Sequence, residues 1–214
     1  MDRAEGKGFH KEVIFKDGDT GKLRKEADNI ARWETLMPGL PPRIQAFRED
    51  KKSSSMLVEL LPGQTIQDIT LTGDRVLLGQ ALSAQCRLAN SLWDKTRVER
   101  SIPAGCMRQL RSRMDEVLTV HPQFRLKRRG IGTCTLPSLD ELIDEAAAVE
   151  ATLTAPFSVF LHGDYNTNNI LYDAENDCIH YIDLHRSADG DLAQDISVYM
   201  LSMWLRKSKQ RTMS

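Results

Sequence analysis

The feature that most constrains this chain is a polar loop between two short apolar segments in its C-terminal third. The segment FLHGDYNTNNILYD, residues 160–173, has apolar runs at residues 160–161 and 170–172 and a turn-like centre. Clustered branched and aromatic residues favour strands, whereas Gly, Asp and Asn favour turns. The pattern therefore predicts a loop between strands, with Asp164 and, five positions later, Asn169 in it.

A further carboxylate follows the next predicted strand. Asp183 comes directly after the apolar residues 179–182, and GDLAQDI occupies residues 190–196. Phosphoryl transfer needs an oriented acceptor hydroxyl and cations that offset the phosphate charge. A carboxylate can accept the hydroxyl proton, and carboxylate and amide oxygens suit Mg²⁺. Asp164, Asn169 and Asp183 therefore favour a phosphoryl-transfer site, with the loop spacing of protein kinases.

These pieces resemble the aminoglycoside phosphotransferase and choline kinase family. HGDYNTNN is similar to the family's HGDxxxxN signature, and YID and GDLAQDI follow in the family's order. The resemblance implies an α+β, protein-kinase-like fold of two lobes, with a small partial N-lobe sheet, one N-lobe helix and a mainly helical C-lobe. It also implies ATP and Mg²⁺ as cofactors and a small-molecule hydroxyl acceptor.

The same resemblance implies a role for each polar residue of this region. Asp164 is the expected catalytic base, and Asn169 and Asp183 are the expected Mg²⁺ ligands. His162 is expected to brace the loop, and Asp195 to anchor the loop backbone through hydrogen bonds. The last two residues are therefore supporting residues and take no direct part in the chemistry.

The N-terminal part of the chain supplies a candidate nucleotide site. Lys16 ends a strand predicted over residues 11–16, and Glu26 lies in a helix predicted over residues 23–36. In kinase-like folds a strand lysine binds the nucleotide phosphates and a helix glutamate positions it. Lys22, four residues before Glu26, is an alternative partner for that carboxylate.

The segment MLVELLPGQTI, residues 56–66, resembles the hinge between the lobes of the family. Glu59 and Leu61 are expected to present backbone N–H and C=O groups to the adenine ring. The expected division of the chain is an N-terminal nucleotide-binding lobe with the hinge, residues 1–62, and a catalytic lobe, residues 63–214.

Apolar periodicity predicts the remaining elements. Ser138, followed three residues later by Glu141, is a capping-box pattern at a helix start. The predicted strands cover residues 44–47, 56–61, 158–161, 170–172 and 179–182, and the predicted helices cover residues 76–93, 107–120, 138–151 and 193–206.

Composition excludes several classes of protein. The net charge of -1 gives no reason to expect nucleic acid as a partner. The N-terminus lacks an export signal, and no apolar run is as long as a membrane span. The four cysteines are widely spaced, which argues against a zinc finger or a disulfide framework. The sequence thus predicts a cytoplasmic protein with no membrane partner.

Both ends are short for the family. Only 15 residues precede Lys16, too few for two strands and a glycine loop. Gly6 and Gly8 are therefore expected to lie in an irregular N-terminal segment and not in a phosphate-binding loop. Few residues follow Asp195. The expectation is a fragment truncated at both ends, with an exposed N-lobe sheet edge that favours self-association.

The acceptor is left open between a sugar, an amino alcohol and an aminoglycoside. His185 and Arg186 are candidates for phosphate or acceptor contact. One alternative is a catalytically impaired nucleotide-binding relative or fragment. Another is a metal-dependent hydrolase with His162, Asp164, Asp183 and His185 as ligands. The aromatic residues available to contact a choline-like cation are Trp93, Tyr165, Tyr181, Tyr199 and Trp204.

Overall fold

The computed structural model describes residues 13–50, 53–125, 127 and 129–212. Gly6, Gly8 and the start of the strand predicted over residues 11–16 lie outside that range. Contacts divide the chain into two compact units, Met1–Arg97 with Val159–Ser214, and Val98–Ser158. The lobe boundary near residue 62 stays a prediction.

The described residues form both strands and helices. Short 3₁₀ turns lie at Pro122–Arg125 and Leu184–Arg186. In chain order the elements are β1 (Val13–Gly18), α1 (Thr20–Leu36), β2 (Ile44–Glu49), β3 (Ser54–Glu59), β4 (Gln64–Thr65), α2 (Ile66–Thr72), α3 (Arg75–Thr96), β5 (Ile102–Pro103), α4 (Cys106–Val120), β6 (Arg129–Ile131), β7 (Cys134–Leu136), α5 (Leu139–Glu150), β8 (Thr154–Ala155), β9 (Val159–Leu161), β10 (Ile170–Asp173), β11 (Cys178–Tyr181), β12 (Ala188–Gly190) and α6 (Leu192–Thr212).

The N-terminal sheet of the first unit has the antiparallel order β1-β3-β2. Every second residue of β3 is buried, including Met56, which lies opposite Lys16 in β1. Directly opposed residues share one face of a sheet, so Lys16 lies on the buried face. The predicted association through the sheet edge stays a prediction.

Helix α1 covers that face with one stripe of side chains. The Asp19 side chain accepts a hydrogen bond from the Lys22 amide at 2.8 Å and caps the helix. The buried positions of α1 recur every three or four residues, which is the spacing of one helix face. Glu26 belongs to this stripe together with Leu23, Ile30 and Trp33.

The remaining core of the first unit forms around Trp33. Its ring lies 4.8 Å from that of Phe160 in β9 and 5.4 Å from that of Tyr181 in β11. Strand β10 pairs with both β11 and β4, while β9 pairs with β12. Strands β9 and β10 flank the polar loop, and β11 ends two residues before Asp183. This packing therefore fixes the position of the loop and the position of Asp183.

The second unit contains α4 and α5 with two short strand pairs, β5–β8 and β6–β7. The predicted capping box is present, since Ser138 and Glu141 exchange hydrogen bonds at the start of α5. At the other end of α5, the Glu150 carboxylate accepts from the amides of Cys106 and Met107 and caps α4.

Most predicted elements are present with ends shifted by a few residues. Helix α2 and the short strand pairs were not predicted, because seven or fewer residues give too little periodicity to recognise. None of the helices in the described part of the chain combines the length and hydropathy of a membrane span.

Candidate active site

The polar loop between β9 and β10 is held by a buried carboxylate from α6. Asp195 accepts hydrogen bonds from the backbone amides of His162, at 2.7 Å, and Gly163, at 3.0 Å. Gly163 has a φ of 79°, and a Cβ there would lie 2.1 Å from the carbonyl oxygen of Arg186. This conformation and this contact require glycine. The two hydrogen bonds to Asp195 are the anchoring contacts expected of that residue.

Asp164 is oriented by its neighbours on both carboxylate oxygens. The Asn166 side chain donates to Oδ1 at 2.9 Å, and a guanidinium nitrogen of Arg186 lies 3.4 Å from Oδ2. The Asn169 amide nitrogen donates to the Asp164 carbonyl oxygen at 2.9 Å, which leaves the Asn169 amide oxygen for another ligand. The Asp164 side chain is 26% exposed, so an acceptor can reach it from solvent.

Asp183 lies beside this loop, at the end of β11. The Ile182 amide donates to the Asn169 carbonyl at 3.1 Å and joins the two segments. Asp183 has a φ of 58°, in the left-handed region that few non-glycine residues adopt. Burial acts to raise the pKa of Asp183, but the ammonium of Lys16 outweighs it, and the pKa lies below its usual value.

Lys16 joins the N-terminal sheet to Asp183. Its Nζ donates to Glu26 Oε1 at 2.5 Å and to Asp183 Oδ1 at 2.6 Å. Burial alone would lower the pKa of Lys16, but the hydrogen bonds to the two carboxylates raise it above its usual value. The structure thus pairs Glu26, which is buried, with Lys16 as predicted from the sequence.

Helix α1 also holds the turn that follows Asp183. Asn29 donates to the Leu184 carbonyl at 2.7 Å, and the Trp33 indole donates to the Ser187 hydroxyl at 2.8 Å. That hydroxyl in turn donates to the His162 carbonyl at 3.1 Å. These contacts could not be predicted from the sequence. The apolar stripe of α1 indicated that Trp33 is buried, but nothing in the sequence indicated Ser187.

His162 is 1% exposed and supports the loop from within. Its Nδ1 accepts from the Asp164 amide at 3.3 Å. Burial lowers the pKa of His162 to about 4, although the charge of Asp164 acts in the opposite direction. The ring is therefore neutral at neutral pH.

The hinge residues have one contact that limits how they can bind adenine. The Glu59 amide donates to the Arg43 carbonyl at 2.9 Å, so that N–H group is already used. A cavity of about 370 Å³ lies on the hinge segment but contains none of the polar residues described above. Its lining includes Pro62, Gly63 and Tyr172. The adenine contacts of Glu59 and Leu61 stay predictions.

The residues present fit a bound Mg²⁺. Asn169 and Asp183 offer an amide oxygen and a carboxylate on adjoining segments, and Mg²⁺ prefers such hard oxygen ligands. The hydrolase alternative does not fit. Within the described residues, the group of three or more His, Cys, Asp or Glu side chains whose ligand atoms lie within 4.8 Å of one another is Asp173, Cys178 and His180, which includes none of the four proposed hydrolase ligands.

Comparisons with known proteins agree with the predicted fold. A profile of the family described as phosphotransferase enzyme family matches residues 4–211. No match was found among curated proteins. An aminoglycoside phosphotransferase from Streptomyces rimosus, solved with ADP and streptomycin, has a TM-score of 0.60 and 17% identity, over 94% of this chain and 78% of that one.

A second similar structure is an aminoglycoside-3'-phosphotransferase of type VIII. Its TM-score is 0.58 at 19% identity, over 94% of this chain and 75% of that one. At such identities the likeness concerns the fold, and it confirms the predicted α+β, protein-kinase-like architecture.

Proposed function

The chain belongs to the phosphotransferase enzyme family, and on that premise we propose that it is an ATP-dependent kinase acting on a small-molecule hydroxyl. The observation that carries the proposal is the convergence of Lys16 and Asp183, joined at 2.6 Å, beside the loop that holds Asp164 and Asn169. The ADP in the Streptomyces structure supports an adenine nucleotide as the donor.

In the proposed reaction each residue has a distinct role. Asp164 orients the acceptor hydroxyl and accepts its proton. The acceptor oxygen forms a bond to the terminal phosphorus, while the bond from that phosphorus to the bridging oxygen breaks and ADP leaves. Lys16, positioned by Glu26, contacts the phosphates. Asn169 and Asp183 would hold Mg²⁺, which offsets the phosphate charge when bound.

Arg186 indicates which acceptors fit best. Its guanidinium lies 3.4 Å from the Asp164 carboxylate, where the reacting hydroxyl has to bind. A cation at this position disfavours polycationic acceptors and favours neutral or anionic ones. We therefore propose that a sugar-like hydroxyl is a better acceptor than an aminoglycoside.

The test is nucleotide-dependent phosphorylation of an acceptor panel. ADP or GDP formation is measured with Mg²⁺ and ATP or GTP, over hexoses, choline, ethanolamine and aminoglycosides. The Asp164→Asn variant removes the base, and Asp115→Asn, at an exposed position of α4, is the matched control. Turnover should fall by about 10²–10⁴-fold in the first variant and stay unchanged in the second.

The other outcomes separate the alternatives. Nucleotide binding without turnover on any acceptor would favour the catalytically impaired relative. Equal turnover in Asp164→Asn and the unaltered chain would contradict the role of Asp164. If the unaltered chain and Arg186→Met both phosphorylate aminoglycosides faster than hexoses, the proposed acceptor class is contradicted. The proposed kinase function would not be affected by that result.

A further inference from the structure

The hairpin of β10 and β11 carries a second cluster of ligand-type side chains on one of its faces. Asp173 pairs with Cys178 across the hairpin, and His180 is two residues beyond Cys178. Opposed residues and alternate residues of a strand project from the same face of a sheet. The ligand atoms of the three side chains lie within 4.8 Å of one another.

The separation of two of these atoms matches tetrahedral zinc coordination. Cys178 Sγ lies 3.5 Å from His180 Nε2. Zn–S and Zn–N distances of about 2.3 and 2.1 Å at a tetrahedral angle place the two ligand atoms about 3.6 Å apart. A zinc ion can therefore bind both atoms without distorting β11, which carries both residues.

The other nitrogen of His180 fixes the ring in the state that binds metals. His180 Nδ1 lies 3.0 Å from the carbonyl oxygen of Gly39. A carbonyl oxygen only accepts hydrogen bonds, so Nδ1 carries the proton and Nε2 presents its lone pair towards Cys178. A histidine ligand whose second nitrogen donates to a carbonyl is the usual arrangement in metal sites.

The third ligand is also oriented by its surroundings. Asp173 accepts from the Glu175 amide at 3.0 Å and from the Asn176 side chain at 2.6 Å. Such hydrogen bonds hold the carboxylates of metal sites in place while leaving lone pairs for the ion. Asp173 is 4% exposed and Cys178 is half-buried, so the site is partly shielded from solvent.

We propose that Asp173, Cys178 and His180 form a binding site for a zinc ion, with water as the fourth ligand. The set of one thiolate, one imidazole and one carboxylate suits Zn²⁺ and not Mg²⁺. The site is separate from the phosphoryl-transfer residues but shares their hairpin. Strand β10 begins directly after Asn169, and β11 ends two residues before Asp183. The bound ion would fix both strands relative to each other.

The test uses the full chain, stripped with a chelator and titrated with Co²⁺ and then Zn²⁺. We expect one equivalent of Co²⁺ to bind, with visible bands of tetrahedral cobalt and a thiolate charge-transfer band, and Zn²⁺ to displace it. Substitution of a residue that only supports a metal ligand typically lowers metal affinity by about 10- to 100-fold. Cys178→Ser and His180→Gln remove ligands and should lower Co²⁺ affinity by more than that. Cys134→Ser and His121→Gln, at exposed positions, should leave binding unchanged.

Several results would overturn the proposal. They are the absence of binding to the unaltered chain, a cobalt spectrum without a thiolate band, and equal affinity in Cys178→Ser and the unaltered chain. The contact would then be a hydrogen bond between thiol and imidazole. The cobalt spectrum of the unaltered chain decides the matter even if a variant does not fold. The readout requires no kinase activity.

Discussion

Lys16 and Asp183 form an ion pair at 2.6 Å, although 167 positions separate them in the chain. The same ammonium donates to Glu26 at 2.5 Å, so one cation joins a buried carboxylate to one that is half exposed. The contact connects the N-terminal sheet to the end of β11. It joins two residues of the proposed kinase site.

Replacement of Lys16 should therefore affect both binding and stability. In Lys16→Met we expect nucleotide affinity to fall by about 10- to 100-fold, because a hydrogen bond to a charged phosphate contributes about 1.5–3 kcal/mol. The buried Glu26 loses its cation, so the free energy of unfolding should also fall, by about 3 kcal/mol. Nucleotide titration and urea unfolding measure the two effects.

Lys25→Met is the matched control, since Lys25 is exposed on α1. It should change neither quantity by a measurable amount. If Lys16→Met binds nucleotide as tightly as Lys25→Met does, Lys16 does not contact the phosphates.

The loop glycine provides a steric prediction. In Gly163→Ala, a Cβ at a φ of 79° would lie 2.1 Å from the Arg186 carbonyl oxygen, so the loop must shift. We expect a loss of several kcal/mol in unfolding free energy and loss of turnover. Thermal unfolding and the kinase assay measure these changes.

Gly79→Ala is the opposite control, because Gly79 lies in the second turn of α3 and a Cβ there meets nothing within 4 Å. It should stabilise the protein by about 0.5–1 kcal/mol. Similar effects of the two substitutions would contradict the steric account of Gly163.

Ser187 links α1 to the loop by one hydroxyl. It accepts from the Trp33 indole and donates to the His162 carbonyl, and both partners are buried. In Ser187→Ala both groups lose their hydrogen bond, which should cost about 1–3 kcal/mol and lower turnover. Ser197→Ala, at an exposed helix position, should be near neutral. Equal unfolding free energies for the two variants would show that the link contributes nothing to stability.

Local parts of the structure were predictable because local chemistry determines them. The helix predicted over residues 23–36 contains Glu26, and the strand predicted over residues 11–16 ends at Lys16; both elements are present in the structure. The spacing of Asp164 and Asn169 in one short loop predicted that they would lie together. In each case the residues concerned lie on the same element or on neighbouring elements.

Contacts between distant segments were not predictable in the same way. Gln85 contacts the hydroxyls of both Tyr165 and Tyr181, which are 5% and 0% exposed. The sequence left both tyrosines available to contact a choline-like cation, but in the structure they are core residues whose hydroxyls bind each other. Composition shows that a tyrosine is available, but only the packing of distant strands and helices decides whether it is exposed.

Two buried groups that anchor the loop have opposite effects on stability as pH changes. Burial raises the pKa of Asp195 from 3.8 to about 6, although the amides of His162 and Gly163 oppose the change. Its contribution to stability is present below pH 3.8 and is lost as the pH rises through 6. Burial lowers the pKa of His162 from 6.5 to about 4, so its contribution is present above pH 6.5 and is lost as the pH falls through 4. Each contribution is about 3 kcal/mol.

Single substitutions should therefore reveal the two effects with opposite signs. In the unaltered chain the two contributions largely cancel between pH 4 and 6. In Asp195→Asn only the His162 contribution remains, so the free energy of unfolding should rise with pH relative to the unaltered chain. In His162→Gln only the Asp195 contribution remains, so the free energy of unfolding should fall with pH. Urea unfolding at a series of pH values measures both slopes, with Asp115→Asn as the control whose slope stays unchanged. If Asp195→Asn and His162→Gln shift the slope in the same direction, the opposed effects of burial do not control the pH dependence of this loop.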